Sequence, residues 1–345
     1  MQNKQSNLND FLEKFEQDET GIYKDESLGG YWSNLSKDEN SKIIEALKSD
    51  SPNSVVSKLM PDHKDVIFSM KRAAGLELLK LTGNEIAVDL GCMWGALSIP
   101  LSKQVKDLLA VDQTLESLLF SNERAKSENI RNIKFLRTNL RDFKLPEKTF
   151  DVVLVNGVLE WIPEYSDVEL GTYFNSKNIS KQSLPNPKVI QKEFLSKIFN
   201  SLDINGKLYL AIENRYDYSM FLGIPDPHSN MLFTSILPKP ISNILFKIFR
   251  KKEYRTWIYS YNETKKLVFD AGFKKIKIYS CWPDYRFPEQ IFEYGNITSN
   301  FKRPSIRRDG KIKIRLLIKS IFEIIIFKFL KLDYFSPSII IIAEK

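Results

Sequence analysis

The sequence predicts an α/β fold: a mostly parallel sheet with helices on both faces, preceded by a helical cap and interrupted by helical insertions. Three observations carry that expectation. From Ile86 onwards short apolar segments recur with helix-like stretches between them, the rhythm of a parallel sheet covered on both sides. The first of these segments, in AVDLGCMWGALSIPL (87–101), ends in an acid and passes through a glycine-containing turn into a helical pattern. Before it, residues 1–80 are polar and helix-prone, which reads as a separate N-terminal cap.

In chain order, the cap holds candidate helices over Leu8–Gln17, Ser41–Leu47 and Lys64–Leu81. Among them lies an aromatic loop, GGYWSNL (29–35), whose Tyr31 and Trp32 read either as anchors of the cap or as a lid. Strands are expected over Ile86–Leu90, Asp107–Val111, Lys134–Arg137, Val152–Val155 and Lys207–Ile212, the last preceded by a turn with Gly206 at its tight position. Residues 213–256 form an insertion with an amphipathic piece, Ile241–Arg250. A helix over Asn262–Ala271 stops at Gly272, and a strand, Lys275–Tyr279, follows. A second insertion, 282–335, precedes a final buried strand, Ser338–Ala343, so that seven strands and one domain (81–345) are expected beyond the cap.

Composition removes several function classes. The N-terminal stretch has no apolar core, so no signal peptide is expected. Two cysteines, Cys92 and Cys281, and two scattered histidines offer neither a disulfide framework nor zinc-type spacing, so no metal is expected and a reducing cytoplasm fits. The net charge of +8 sits in one segment: ten Lys/Arg against Asp309 and Glu323 between Phe301 and Lys331, leaving the remainder neutral. That distribution argues against general nucleic-acid binding. Within it, Ile312–Leu332 is very apolar, but charges interrupt it throughout, short of the roughly 20 apolar residues of a membrane span. It reads as an amphipathic helix packed on the domain, as a basic helix on an anionic membrane surface, or as a dimer contact.

The chemistry begins in the turn after the first strand. A dinucleotide needs backbone close to a pyrophosphate, yet Met93 occupies the place of the middle glycine and Asp89 would face two phosphates. Both suit S-adenosylmethionine, which has no phosphate but carries an α-ammonium and a sulfonium. Gly91 and Gly95 let the backbone bend around its methionine portion, Cys92 is a small filler there, and the helix beginning near Gly95 favours the α-carboxylate. Asp112, with Gln113 beside it, lies 23 residues after Asp89 at the end of the next strand, where an acid accepts from both ribose hydroxyls. Asn139 ends a third strand; its side-chain oxygen suits the adenine amino group and the Leu140 N–H a ring nitrogen, while the following strand delivers Asn156 to the same rim.

From about Ile86 to Glu213 the chain resembles the class I S-adenosylmethionine-dependent methyltransferases, which have a Rossmann-like sheet. Their D-x-G-x-G-x-G turn corresponds here to Asp89, Gly91, Met93 and Gly95, and their ribose acid to Asp112. The departures are Met93 for the middle glycine and Asn139 where an aspartate is common. The resemblance implies that the last two strands are antiparallel and that residues 1–80, 213–256 and 282–335 surround the acceptor pocket.

Two polar clusters lie in those insertions: AIENRYDYSMFLGIPDPH (211–228), with Glu213, Asn214, Arg215, Asp226 and His228, and WPDYRFPEQ (282–290), with Asp284, Tyr285 and Arg286. This pattern resembles methyltransferases associated with bacterial surface polysaccharides, which implies oxygen methylation of a sugar, phosphosugar or lipid-linked glycan at the inner membrane face. A sugar hydroxyl gains from a general base, for which His228 is the first expectation and Glu213 the second. Asn214, Arg215, Asp284, Tyr285 and Arg286 are the expected acceptor contacts, the arginines suiting phosphate or carboxylate. The bland readings are a capping His228, a Glu213–Arg215 ion pair, and a PDYRFP turn closed by Asp284 and Arg286. Rival functions are methylation of a small metabolite or lipid-like quinone precursor, and a non-catalytic relative, binding S-adenosylmethionine or nothing, that serves as a complex partner. A nucleic-acid methyltransferase would show an N/D-P-P-Y/F-type motif where this chain has NGVLEW.

Overall fold

The computed structural model describes residues 2–25, 35–165, 184–297, 301–302 and 321–345. Tyr31, Trp32 and most of the basic segment 301–331 lie outside the described residues. The strands are β1 (Glu16–Gln17), β2 (Ile22–Lys24), β3 (Ile86–Leu90), β4 (Asp107–Asp112), β5 (Ile133–Arg137), β6 (Phe150–Asn156), β7 (Leu202–Glu213), β8 (Lys275–Trp282), β9 (Gln290–Glu293) and β10 (Ser338–Glu344). They form one sheet in the order β1-β2-β5-β4-β3-β6-β7-β10-β8-β9. The run from β2 to β7 is parallel, and β10 enters antiparallel between β7 and β8. The strand order reverses at β3, so a crevice opens at the C-terminal edge of β3, β4 and β6, where open α/β sheets take their ligands.

Both faces of the sheet are buried, and the period of two shows in the packing. Ile86, Val88, Val153, Val155, Leu208 and Leu210 join one core with Leu8, Ile190, Phe194 and Leu267 from covering helices. Ala87, Val152, Leu154 and Tyr209 join the other, with Leu76, Leu79, Leu97 and Leu101. The covering helices are punctuated as the sequence suggests. Ser260 closes a capping box with Glu263 ahead of the helix Tyr261–Asp270, and Gly272 follows it at φ 124°.

Four expectations are corrected. The sheet has ten strands, not seven: β1 and β2 form a hairpin in the supposed helical cap, β2 docks parallel on β5, and β9 adds to β8. The first helix runs over Gln2–Leu12 rather than Leu8–Gln17, leaving Glu16–Gln17 to the hairpin. The helix expected over Lys64–Leu81 breaks at Ser69, which is extended and caps a 3₁₀ segment, Met70–Leu79. That segment lies so close to the sheet that a side chain at Gly75 would meet the Tyr209 hydroxyl at 2.3 Å. In the turn before the central part of β7, Asn205 rather than Gly206 takes the left-handed conformation, at φ 64°.

Candidate active site

The turn after β3 is built by its sequence. Gly91 (φ 81°) leaves no room for a side chain, since a Cβ would stand 2.4 Å from Val158 Cγ2. Met93 adopts φ 44° although it is not glycine. Its N–H donates to Asp112 Oδ2 at 2.8 Å, its carbonyl accepts from Ser121 Oγ at 2.8 Å, and its side chain packs on the cluster of Trp94 and Phe120. These contacts hold the methionine in place and offset a conformational cost of about 1 kcal/mol.

Asp89 and Asp112 are both buried. Asp89 accepts from Ser98 Oγ at 2.6 Å, and Asp112 Oδ1 accepts from the Thr114 N–H at 2.9 Å. Burial pushes each carboxyl up to about 6, and for Asp89 the charge of Asp112 adds to it. A recess beside the turn is lined by Arg72, Asp89, Gly91, Cys92, Met93 and Asn156 among others. Within it Arg72 Nε and Asn156 Oδ1 are buried without a hydrogen-bond partner among the described residues. Arg72 was not singled out in the sequence, because it sat in a presumed continuous helix; its one signal is a lone arginine entering the sheet from the cap. The Cys92 thiol is buried and raised by desolvation, which leaves it a filler. Gln113 is half-buried beside Asp112, its carbonyl accepting from Arg137 Nε at 3.4 Å. Asn139 Oδ1 accepts from the Arg141 N–H at 3.0 Å, so the side chain shapes its own turn, and Leu140 beside it is half-buried.

A second group stands one strand over. Glu160 follows β6, Glu213 ends β7, and His228 lies in the loop beyond. His228 Nε2 is 3.5 Å from Glu213 Oε2 and 3.6 Å from Glu160 Oε1, and its Nδ1 is 3.8 Å from Asp226 Oδ1. The Trp161 ring meets the imidazole edge-on at 5.2 Å. Asp226 in turn accepts from the N–H groups of His228 and Ser229, which fixes the loop. Burial opposes a charged imidazole, but Glu213, Glu160 and Asp226 outweigh it and lift His228 to about 9; burial raises Glu213 as well. The three acids therefore favour the protonated ring, whereas the sequence expectation rested on an unperturbed histidine. Glu160 was missed because NGVLEW was read only for the motif it lacks.

Tyr285 joins the two groups. Its hydroxyl packs on Gly157, where a Cβ would stand 2.2 Å away, next to Asn156 on one side and three residues from Glu160 on the other. Asp284 and Arg286 close their own turn, with Arg286 Nη2 3.2 Å from Asp284 Oδ2 and the Arg286 N–H donating to Asp284 Oδ1 at 2.8 Å. Two expected acceptor contacts are engaged in scaffolding instead. Asn214 donates to the carbonyls of Tyr334 and Ser336. Arg215 donates to the carbonyls of Ser235, Ile236 and Leu237 and pairs with Glu263 at 2.8 Å, rather than with Glu213.

Residues 87–170 match the profile of a family described as "Methyltransferase domain". This segment, which holds the turn after β3, Asp112 and Glu160, is similar to a methyltransferase domain, and the match supports an enzyme that uses S-adenosylmethionine as cofactor. The chemistry of the recess suits that cofactor: it is lined by a buried carboxylate, Asp89, and by Arg72 Nε and Asn156 Oδ1, which have no hydrogen-bond partner among the described residues. Among curated proteins no match is found. Solved structures with a similar course of chain include phosphoethanolamine N-methyltransferase 2 of Haemonchus contortus bound to S-adenosyl-L-methionine, 13% identical, covering 79% of this chain and 52% of that one, with a TM-score of 0.41. They also include a SAM-dependent methyltransferase from Methanosarcina mazei (13% identical, 78% and 96% covered, TM-score 0.42) and another from Aquifex aeolicus (16%, 65% and 90%, TM-score 0.38). The chain spans about half the length of the Haemonchus protein.

Proposed function

We propose that the whole chain is an S-adenosylmethionine-dependent methyltransferase acting on an oxygen of a sugar, phosphosugar or lipid-linked glycan in surface-glycan assembly. The observation that carries this reading is the convergence of Glu160, Glu213 and His228 at the C-terminal edge of β6 and β7, joined through Tyr285 and Gly157 to the cofactor recess. Bound S-adenosylmethionine supplies an electrophilic methyl carbon activated by its sulfonium. Asp89 and Asn156 hold the α-ammonium, Arg72 the α-carboxylate, and Asp112 the ribose hydroxyls. The acceptor hydroxyl binds against Glu160, Glu213 and His228 and gives up its proton there, while Trp161 and Tyr285 exclude water from the in-line path. The insertions 213–256 and 282–335 frame the acceptor, and Arg286 at the rim suits a phosphate or carboxylate on it. The basic segment 301–331 brings the protein to an anionic inner-membrane face where lipid-linked acceptors reside; among the described residues no helix is long and apolar enough to cross a membrane.

The test is incubation with methyl-labelled S-adenosylmethionine and a cell extract, followed by fractionation. Label is expected in sugar-containing material, and Glu213→Gln should lower the yield about 10²–10⁴-fold. Label confined to protein or nucleic acid, or none at all with cofactor bound, overturns the reading.

A further inference from the structure

We propose that Glu160, Glu213 and His228 hold a divalent cation, a deepening of the reading above that rests on the acceptor meeting the methyl group at this cluster. The three ligand atoms lie within 4.8 Å of one another, with His228 Nε2 3.5 Å from Glu213 Oε2 and 3.6 Å from Glu160 Oε1. Around an ion bound at about 2.1 Å, neighbouring ligand atoms stand about 3.0 Å apart in an octahedron and about 3.4 Å in a tetrahedron. The two histidine–carboxylate spacings come within a few tenths of an ångström of these values, and the two carboxylate oxygens lie no more than 4.8 Å apart. As hydrogen bonds the same contacts are too long, since good ones fall near about 2.7–3.2 Å.

The independent observation is Glu160 itself. It is 0% exposed, and neither of its oxygens has a hydrogen-bond partner among the described residues; Glu213 Oε2 is in the same state. Buried carboxylates are otherwise paired, hydrogen-bonded or bound to metal. Three acids, Glu160, Glu213 and Asp226, surround a single imidazole, and the Arg286 guanidinium near Glu213 is tied to Asp284. Asp226 stands behind the ring on its Nδ1 side, where carboxylates orient metal-bound histidines. Two carboxylates and one imidazole, from the loop after β6, the end of β7 and the loop beyond it, form a set that suits Mn²⁺, Mg²⁺ or Zn²⁺ and leaves positions open.

Such an ion coordinates the acceptor hydroxyl and lowers its pKa. The O–H bond breaks, the proton leaves to water, and the electron pair stays on the coordinated oxygen. Open positions also favour acceptors with a second oxygen beside the one methylated, a vicinal diol or a hydroxyl next to a phosphate. The site thereby narrows the acceptor class.

The test uses the chelator-treated full chain and Mn²⁺ alone, followed by electron paramagnetic resonance or calorimetry. One Mn²⁺ per chain is expected, weakened about tenfold or more in Glu160→Gln and in His228→Ala. Glu160→Gln should keep its affinity for S-adenosylmethionine, which shows that it folds and makes it decisive even where His228→Ala does not. No Mn²⁺ bound by the wild type, or equal affinity in Glu160→Gln, overturns the site. Labelled methyl transfer is then compared in chelator and in Mn²⁺, with at least a tenfold fall and recovery expected, about the loss typical of a disrupted metal site. Turnover indifferent to chelator overturns the cation and leaves the methyltransferase standing. Absence of cofactor binding overturns the methyltransferase reading, while the Mn²⁺ titration still decides the site.

Discussion

Acidification should expel the cofactor. Asp89 and Asp112 sit at about 6 in the ligand-free protein, raised first by burial. Their partners on S-adenosylmethionine, the ammonium and the ribose hydroxyls, need the ionised forms, so binding must drive off any proton present. Between pH 7.5 and pH 5 a carboxyl of that pKa costs about tenfold in affinity, and two that must both ionise cost about a hundredfold. In free energy this is about 1.4 kcal/mol per tenfold step. Calorimetry in buffers of different ionisation enthalpy reads both the Kd and the protons released, which should approach one per carboxyl below pH 6. The same shift has the opposite sign for stability. Folded pKa values lie above the ordinary value of 3.8, so the ligand-free protein gains stability as pH falls through about 6 toward 4, by at most about 3 kcal/mol per carboxyl. Cofactor-saturated protein should show none of that gain. A Kd constant within about twofold across this range, or proton uptake on binding, refutes the reasoning.

Three substitutions probe the rest. Arg72→Ala should weaken S-adenosylmethionine binding by about tenfold or more while Arg72→Lys keeps part of it, since the guanidinium forks onto a carboxylate; equal affinity in both would remove Arg72 from the site. Gly157→Ala places a Cβ 2.2 Å from the Tyr285 hydroxyl at a φ of 67°. It should displace Tyr285 and lower methyl transfer more than about tenfold, a loss visible in kcat before KM. Arg215→Ala severs bonds to three carbonyls and to Glu263, and chemical denaturation should show a loss of about 2–4 kcal/mol with the cofactor Kd unchanged. A stable Arg215→Ala protein that binds acceptor poorly would return that arginine to the acceptor site.

What the sequence showed depended on how far each signal extended along the chain. Strands β3 to β7 were legible because each holds a short apolar run, and acids at the ends of two of them marked the rim. The hairpin β1–β2 was not: two and three residues, Glu16–Gln17 and Ile22–Lys24, carry no usable alternation, and only docking on β5 makes them strands. Asp89, Asp112, Glu213 and His228 were visible as residue types in a motif. Glu160 and Arg72 were not, since each becomes a site residue only when distant segments meet. Arg215 and Asn214 failed in the opposite direction. Their polarity past the end of β7 suggested a ligand, but the loops beyond are rich in backbone carbonyls that must be satisfied, and these two side chains do so.

The two halves of the site share one electrostatic logic. Three buried acids and one half-buried acid lie along one edge of the sheet: Asp89 on β3, Asp112 on β4 and Glu160 beyond β6, with Glu213 on β7. In the ligand-free molecule their burial is unfavourable, which is why the carboxyls of Asp89, Asp112 and Glu213 are raised. Hydrophobic residues of like volume at these positions would stabilise the fold, so the acids are retained against stability. Their burial becomes favourable only when a partner arrives, and in the proposed complex the cofactor's ammonium answers Asp89 and its ribose hydroxyls answer Asp112. The second pair is one strand too far for that service and has a single imidazole between its members. A cation-binding cofactor half thus stands beside an acceptor half with the same unmet demand, and the divalent cation proposed between Glu160, Glu213 and His228 is the charge that answers it.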